Sequence, residues 1–323
     1  MFTTASFAAL SFSIAAALSS GILNKDFWWL LTLATIGQAI LMGLLVPARH
    51  SIIPGLVESE TLMNAISLNR LGQNGLQLMA PAVAGFLIEG FDFETVFIII
   101  GCLYIWALIF LSFLPINRNL VIATQNAFSE IKKGFKYLGS NSAIKWVLIF
   151  NFLAVVFSLP YEQFLPVSVD DILKIGAGGL GILVSASGIG AIAGSFIVAS
   201  LPNKKRGLLF TSSIILLAVA IILFSFSESW ILSLIIMIFI GLGQAGRLTL
   251  SNTLAQHYSK NNYRGRIMGI YDMQMSFPGL AVFLIGILSE KIGVQNAIGG
   301  FAMLLILLAT IINIKVPTLR RLD

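Results

Sequence analysis

Charged residues are scarce in this 323-residue sequence: Asp, Glu, Lys and Arg make up 11% of it, while hydrophobic residues make up 57%. A soluble domain carries about 25% charged residues. So little polar surface cannot cover a soluble protein, and lipid must therefore be part of the solvent. The 29 Gly residues suit close contact between membrane helices. We therefore expect an all-α membrane protein.

Other absences exclude whole classes of chemistry. The single cysteine, Cys102, lies inside an apolar run, which excludes a disulfide framework and a cysteine-based metal cluster. The sequence has no GxxxxGK[ST] motif, so this chain does not carry a P-loop that hydrolyses ATP. It also lacks HExxH and GxSxG. We predict no enzyme activity, no metal and no cofactor.

Long apolar runs follow one another along the whole chain. A membrane-spanning helix needs about 20 mainly apolar residues. The first run resembles a secretory signal, but the first Lys is Lys25, so we favour a membrane span. Ten spans are predicted, at residues 5–23, 27–47, 64–88, 95–114, 144–168, 178–200, 208–226, 229–251, 266–288 and 294–314. We divide them into an incomplete N-terminal bundle (1–114), a cytoplasmic linker (115–143) and a C-terminal six-helix bundle (144–323).

The basic residues indicate the orientation of the spans. With the N-terminus in the cytoplasm, 17 of the 20 Lys and Arg residues lie at cytoplasmic ends and loops. The other side holds Lys25, Lys174 and Lys291. The net charge of +6 is therefore explained by topology, and nucleic acid is not a predicted partner. Both termini are expected in the cytoplasm and the protein in the plasma (inner) membrane.

An internal repeat relates the two halves. GLLVPARHS at Gly43 is similar to GLGQAGRLT at Gly241, and Arg49 and Arg247 are 198 residues apart. The pairs Asn64/Asn262 and Asn74/Asp272 have the same separation. A period near 200 in a multi-span chain indicates two homologous bundles. At this offset we expect about two further spans of the first bundle, which would precede Met1.

From about residue 27 onward the chain resembles the major facilitator superfamily, and within it the macrolide-efflux and enterobactin-exporter branch. The similarity lies in PARHSIIPGLV, NAISLN, APAVAGFL, GAGGLGILVSASGIGAIAGS and GRIMGIYDM. It implies a two-bundle fold and a proton-driven antiporter that exports an amphipathic drug or siderophore. It also implies twelve spans, of which this chain shows ten.

Arg49 and Arg247 are expected at the cytoplasmic ends of equivalent spans. An Arg there can snorkel and donate to the last carbonyls of a helix. One interpretation is an interfacial anchor. The other is a cytoplasmic gate that pairs with acids such as Glu58 or Glu60. Neither interpretation makes these residues substrate ligands.

Glu162, in FSLPYEQFLP, is the main candidate for proton coupling or substrate binding, because ionisable groups inside a membrane are costly. Asn151, Ser158 and Glu162 are spaced 7 and 4 apart, which predicts one helical face. The alternative is a structural Glu, or one in water at the outer mouth of the cavity.

Asp272, in GIYDMQM, is a second candidate, and its repeat partner Asn74 is also polar. It follows Arg264 and Arg266 by less than two turns, so an ion pair with one of them is the alternative to a proton site. Both arginines are also candidates for the gate or anchor.

The third predicted span carries a polar stripe at Asn69, Gln73 and Gln77, together with Arg70 near its cytoplasmic end. In lipid such a stripe must face the bundle interior. It either binds substrate or locks helix to helix, and Arg70 could meet Glu58 or Glu60. The motif GAIAG at 190–194 predicts close helix packing.

The sequence thus predicts a secondary transporter whose partners are a small-molecule substrate, protons and the lipid bilayer, and a monomer if it is full length. The alternative is a non-transporting truncated remnant, or an interaction partner in the membrane.

Overall fold

The computed structural model describes residues 1–21, 27, 29–56, 61, 68–69, 72, 76, 80, 83–84, 87–88, 90–113, 127–201, 204–320 and 322. Within this part of the chain every regular element is helical. The chain divides into two units, Met1–Ile122 and Ala123–Asp323. The second unit includes the helix Ala127–Ser140, which lies within the predicted linker (115–143).

The first unit contains α1 (Phe2–Ser19), α2 (Trp29–Leu56) and α3 (Phe93–Ser112). Helices α1 and α3 pack along each other, with the rings of Phe7 and Tyr104 stacked 5.0 Å apart. Gly101 permits this approach, since a Cβ there would lie 2.7 Å from the Phe12 ring. Most other large apolar side chains of α3 are exposed, as expected for a helix in contact with lipid.

The second unit holds the remaining elements. They are α4 (Ala127–Ser140), α5 (Ser142–Ser158), α6 (Tyr161–Val167), a π-helical turn (Ser168–Leu173), α7 (Gly176–Ser200), α8 (Arg206–Ser225), α9 (Trp230–His257), α10 (Asn261–Met273), a 3-10 turn (Gln274–Ser276), α11 (Pro278–Ile292), α12 (Val294–Lys315) and α13 (Pro317–Arg320).

Eight helical segments in the described residues are long and apolar enough to cross a membrane, and α2 adds a shorter apolar stretch at Trp29–Gly43. They match nine of the ten predicted spans, and the third predicted span (64–88) falls largely outside the described residues. Two helices continue well beyond their predicted ends: α2 reaches Leu56 instead of residue 47, and α9 reaches His257 instead of residue 251.

The span predicted at 144–168 is one apolar segment, Ser142–Leu173, but its helix is broken. Helix α5 ends at Ser158, and Pro160 precedes the first residue of α6. A proline has no N–H to donate, and its ring clashes with the carbonyl four residues earlier, which explains the break. Asn141 caps the other end of α5, because its Oδ1 accepts from the Ile144 N–H at 3.3 Å.

Helices α7 and α9 form the closest helix pair of the second unit. A Cβ on Gly190 would overlap the Ile238 carbonyl, and one on Gly241 would overlap the Ser187 carbonyl. Gly194 lies similarly against Leu242. The structure therefore places GAIAG at a helix contact, as the sequence predicts, because only glycine lets the two backbones approach this far.

Two apolar clusters form the core of the second unit. One joins α5, α8, α9 and α12 through residues such as Phe150 and Phe210, whose rings meet edge to face 5.3 Å apart. The other joins α6, α7, α8 and α9 around Leu183 and Met237. Polar side chains interrupt this core on α5, α9 and the 3-10 turn, and they form the site described next.

Candidate functional site

Arg247 lies inside the second unit. Its side chain is 1% exposed, although the residue carries a positive charge. The Nη1 group donates to the Oδ1 atom of Asn151 on α5, at 2.8 Å. Of the two interpretations of the sequence, the interfacial anchor has this side chain snorkel to the membrane surface, but it points inward. That interpretation rested on a span ending near residue 251, whereas α9 continues past Arg247 to His257. The role in a cytoplasmic gate stays a prediction.

A directional chain of hydrogen bonds continues from Arg247 through two amides. Asn151, which is fully buried, accepts from Arg247 and donates its Nδ2 group to Oε1 of Gln274, at 2.7 Å. Gln274 in turn donates Nε2 to the Leu148 carbonyl, at 2.9 Å. The cation fixes the orientation of both amides, because only their oxygens can accept. The chain thereby links α9, α5 and the 3-10 turn after α10.

Glu162 lies beside this series of hydrogen bonds, in the first turn of α6. Its Oε1 atom accepts from the Nε2 group of Gln244 on α9, at 3.0 Å. Gln244 and Arg247 are three residues apart and share one face of α9. The predicted common face of Asn151, Ser158 and Glu162 is only partly observed. Asn151 and Ser158 are fully buried, but the helix break turns Glu162 to an exposed position.

Two buried atoms at this site have no hydrogen-bond partner within the part of the chain that the structure describes. They are the Nε atom of Arg247, a donor, and the Oε1 atom of Gln244, an acceptor. Native structures seldom leave such groups unsatisfied, since each costs roughly 1–3 kcal/mol. The site can therefore form two further hydrogen bonds, one donated by Arg247 and one accepted by Gln244.

A second polar pair lies one turn further along α9. The hydroxyl groups of Ser251 and Tyr271 are 2.9 Å apart, and both side chains are buried. Ser251 is four residues after Arg247, so Gln244, Arg247 and Ser251 form one polar stripe on α9. This stripe faces α5, α6 and α10. Together with its partners Asn151, Glu162, Tyr271 and Gln274 it forms what we call the polar seam.

Three other predicted site residues lie on α10, and the rest fall in residues 1–122, in part outside the described residues. Asp272 and Arg264 are exposed on α10, and Arg266 is half-buried, with its guanidinium 5.0 Å from the centre of the Tyr263 ring. Asn69 lies in a short described stretch, 68–69. The residues outside the described part are Glu58, Glu60, Arg70, Gln73, Asn74 and Gln77. Arg49 lies in α2, but its side chain is outside the description.

Sequence reasoning missed Gln244, Gln274, Ser251 and Tyr271. Two signals were available. Gln244 stands one turn before Arg247 in GLGQAGR, and Gln274 interrupts an apolar segment. Both residues are uncharged, whereas the predicted sites were chosen mainly among ionisable residues.

Solved structures share this fold. A bacterial homologue of the human lysosomal transporter Spinster, in an inward-facing and unoccupied conformation, aligns with a TM-score of 0.72 at 13% identity. The alignment covers 99% of this chain and 83% of that one. At this identity the likeness supports the fold alone.

Two curated relatives match in sequence. The staphyloferrin A transporter of Staphylococcus aureus is 22% identical over 80% of this chain, and the match covers 65% of its own length. An uncharacterised transporter of Bacillus subtilis, YfiS, is 26% identical over 35% of this chain and 28% of its own. This chain therefore spans less than two thirds of either relative.

The family model described as Major Facilitator Superfamily matches residues 1–282, which is most of the chain. Members of this family are carriers rather than enzymes. Together with the multi-span helical fold, the match shows that this chain belongs to the major facilitator superfamily.

Proposed function

We propose that this chain exports an amphipathic small molecule of the drug or siderophore type in exchange for protons, and that Glu162 is the group that carries the proton. The observation behind the proposal is the hydrogen bond between Glu162 and Gln244, one turn from the buried cation Arg247. It places an exposed acid beside a chain of hydrogen bonds between side chains of three membrane-spanning segments.

The hydrogen bond between Glu162 and Gln244 can respond to the protonation state of Glu162. An ionised carboxylate accepts hydrogen bonds only, and Gln244 now donates one to it. A protonated carboxyl gains an O–H donor, and the unpartnered Oε1 of Gln244 can accept from it if the amide turns over. Protonation thereby makes a reversed Gln244 amide possible. Among the described residues, Arg247 and Tyr161 are charged or titratable neighbours of the carboxyl.

The proposed substrate class rests on the family and on one relative. That relative is called a staphyloferrin A transporter, which names a siderophore. We propose a compound of that kind, moved outward, with both termini of the chain in the cytoplasm. The same proposal places the protein in the plasma membrane, as a monomer when full length.

Transport into respiring everted membrane vesicles tests this function. The probes are staphyloferrin A and ethidium, an amphipathic cation. We expect accumulation of at least one probe, and we expect nigericin to abolish it by collapsing the pH gradient. Glu162→Gln removes the titratable group and keeps the shape, so accumulation should be lost although insertion is normal. Glu290→Gln, an exposed acid near the end of α11, is the matched control.

Each result decides one part of the proposal. Accumulation that persists in Glu162→Gln and still needs the pH gradient removes Glu162 as the proton carrier. Accumulation that ignores nigericin removes proton exchange. If the inserted chain moves neither probe, export of this class of compound is wrong, and the alternative of a non-transporting membrane protein gains support.

A further inference from the structure

The amphipathic helix α4 (Ala127–Ser140, AFSEIKKGFKYLGS) has no part in the proposed transport site. One side of it packs on α10. Gly134 approaches Ile270 and Arg266, and Leu138 is buried. The rings of Tyr137 and Tyr263 stack 4.3 Å apart, and the Tyr137 hydroxyl accepts from the Lys260 N–H at 3.2 Å. Because residue 134 lies near 270 and residue 137 near 260 and 263, the two helices run antiparallel.

The opposite side of α4 is basic. Lys132 and Lys136 are four residues apart, and each is about 200° around the helix from the buried Gly134 or Leu138. Both are exposed. Phe135, between these two sides, is 50% exposed. The apolar side of α4 is thus wider than its contact with α10, and an exposed aromatic ring lies next to two exposed cations.

The lengths of the neighbouring spans place α4 near the membrane surface. The segment Asn262–Ile292 has 31 residues. At about 1.5 Å per residue it is roughly 46 Å long, about 16 Å more than the hydrocarbon core. Helix α12 follows directly at Val294 and has 22 residues, which is close to the core thickness. The excess of the longer segment therefore lies at its α10 end, beside α4.

We infer that the exposed side of α4 binds the anionic headgroups of phospholipids in the adjacent leaflet. Gly134 lies level with Ile270, about where α10 enters the hydrocarbon, so Phe135 lies at the headgroup boundary and both lysines can reach phosphates. Basic groups at such a surface contribute about 1 kcal/mol each by attraction to anionic lipid. The inference is independent of the proposed function, because it needs neither substrate nor proton movement.

Local lipid composition at Phe135 tests this inference. In a Cys102→Ala background, Phe135→Cys is labelled with an NBD fluorophore, an aromatic group that replaces the ring. The full chain is reconstituted in vesicles of phosphatidylcholine and phosphatidylglycerol, with a shallow doxyl quencher on one lipid or the other. We expect doxyl-phosphatidylglycerol to quench more strongly. The preference should fall as ionic strength rises, because salt screens exposed charges.

Charge-matched variants locate the effect. Lys132→Gln/Lys136→Gln should reduce the preference for phosphatidylglycerol, by roughly fivefold for each lysine removed. Lys174→Gln/Lys291→Gln removes two exposed lysines outside α4 and should leave the preference unchanged. Equal quenching by the two lipids overturns the recognition of anionic headgroups. Absence of quenching by either lipid places α4 away from the membrane and overturns the inference altogether. Equal loss in both double variants shows a general charge effect and overturns the role of α4.

Discussion

Replacing Asn151 by leucine is the sharpest perturbation of the polar seam. Leucine has the same branched arrangement of side-chain heavy atoms, but it neither donates nor accepts a hydrogen bond. The change leaves the Arg247 guanidinium without the acceptor at 2.8 Å and the Oε1 atom of Gln274 without the donor at 2.7 Å. Both orphaned groups stay buried, since Arg247 is 1% and Gln274 6% exposed.

The expected loss of stability follows from these two bonds. A hydrogen bond to a charged group contributes about 1.5–3 kcal/mol. A neutral side-chain bond within a membrane contributes about 0.6 kcal/mol. We therefore expect Asn151→Leu to lower the free energy of unfolding by about 2–4 kcal/mol. The triple variant Asn151→Leu/Arg247→Met/Gln274→Leu replaces the whole polar chain, and we expect it to be more stable than Asn151→Leu alone, because it leaves no uncompensated buried charge.

Reversible unfolding by SDS titration, followed by far-UV circular dichroism, measures both variants on the reconstituted chain. Asn296→Leu is the control, because Asn296 is exposed and its Nδ2 group donates to the Ile292 carbonyl, four residues earlier at the end of α11. A loss no larger for Asn151→Leu than for this control would refute the reasoning. So would a triple variant that is less stable than Asn151→Leu, since the three residues would then act separately.

Three further predictions concern packing and capping. Gly241→Val should separate α7 from α9 and cost about 1–3 kcal/mol in the same titration, whereas Gly286→Ala, with nothing within 4 Å of the added Cβ, should be neutral or stabilising. A double-mutant cycle of Tyr137→Ala and Tyr263→Ala should give a coupling energy of about 0.5–1.5 kcal/mol, and a value near zero would contradict the stacked geometry. Asn141→Ala should cost at least about 1 kcal/mol, through loss of the cap of α5 and of the bond from its Nδ2 group to the Tyr258 carbonyl, and an unchanged unfolding midpoint would contradict both contacts.

The spans were predictable from the sequence because a membrane helix is defined by its own residues. About 20 apolar residues satisfy the length of the bilayer without reference to any neighbour. The helix boundaries accordingly fall within a few residues of expectation in most cases, and GAIAG at 190–194 marks a close helix contact. The break after Ser158 was not predicted, although Pro160 is a local signal for it. The spacing of Asn151, Ser158 and Glu162 was interpreted as one unbroken helix.

The seam was less predictable because its bonds join distant residues. Arg247 meets Asn151, 96 positions earlier, and Asn151 meets Gln274, 123 positions later. The charge pattern favoured an interfacial Arg, since most basic residues of this chain lie at span ends. Nothing in the local sequence separates an Arg that snorkels from one that turns inward. The direction depends on which helix packs against which, and that is a property of the folded bundle.

The shared dependence of Asn151, Arg247 and Gln274 has a consequence for the history of this protein. Substituting any one of the three residues lowers stability, because it leaves a buried donor or acceptor without a partner. Replacing all three by apolar residues leaves no unpaired buried polar group. Single substitutions at these positions should therefore be rare among natural variants. In an alignment of homologues the three positions should therefore covary or be conserved together, because their side chains are in contact.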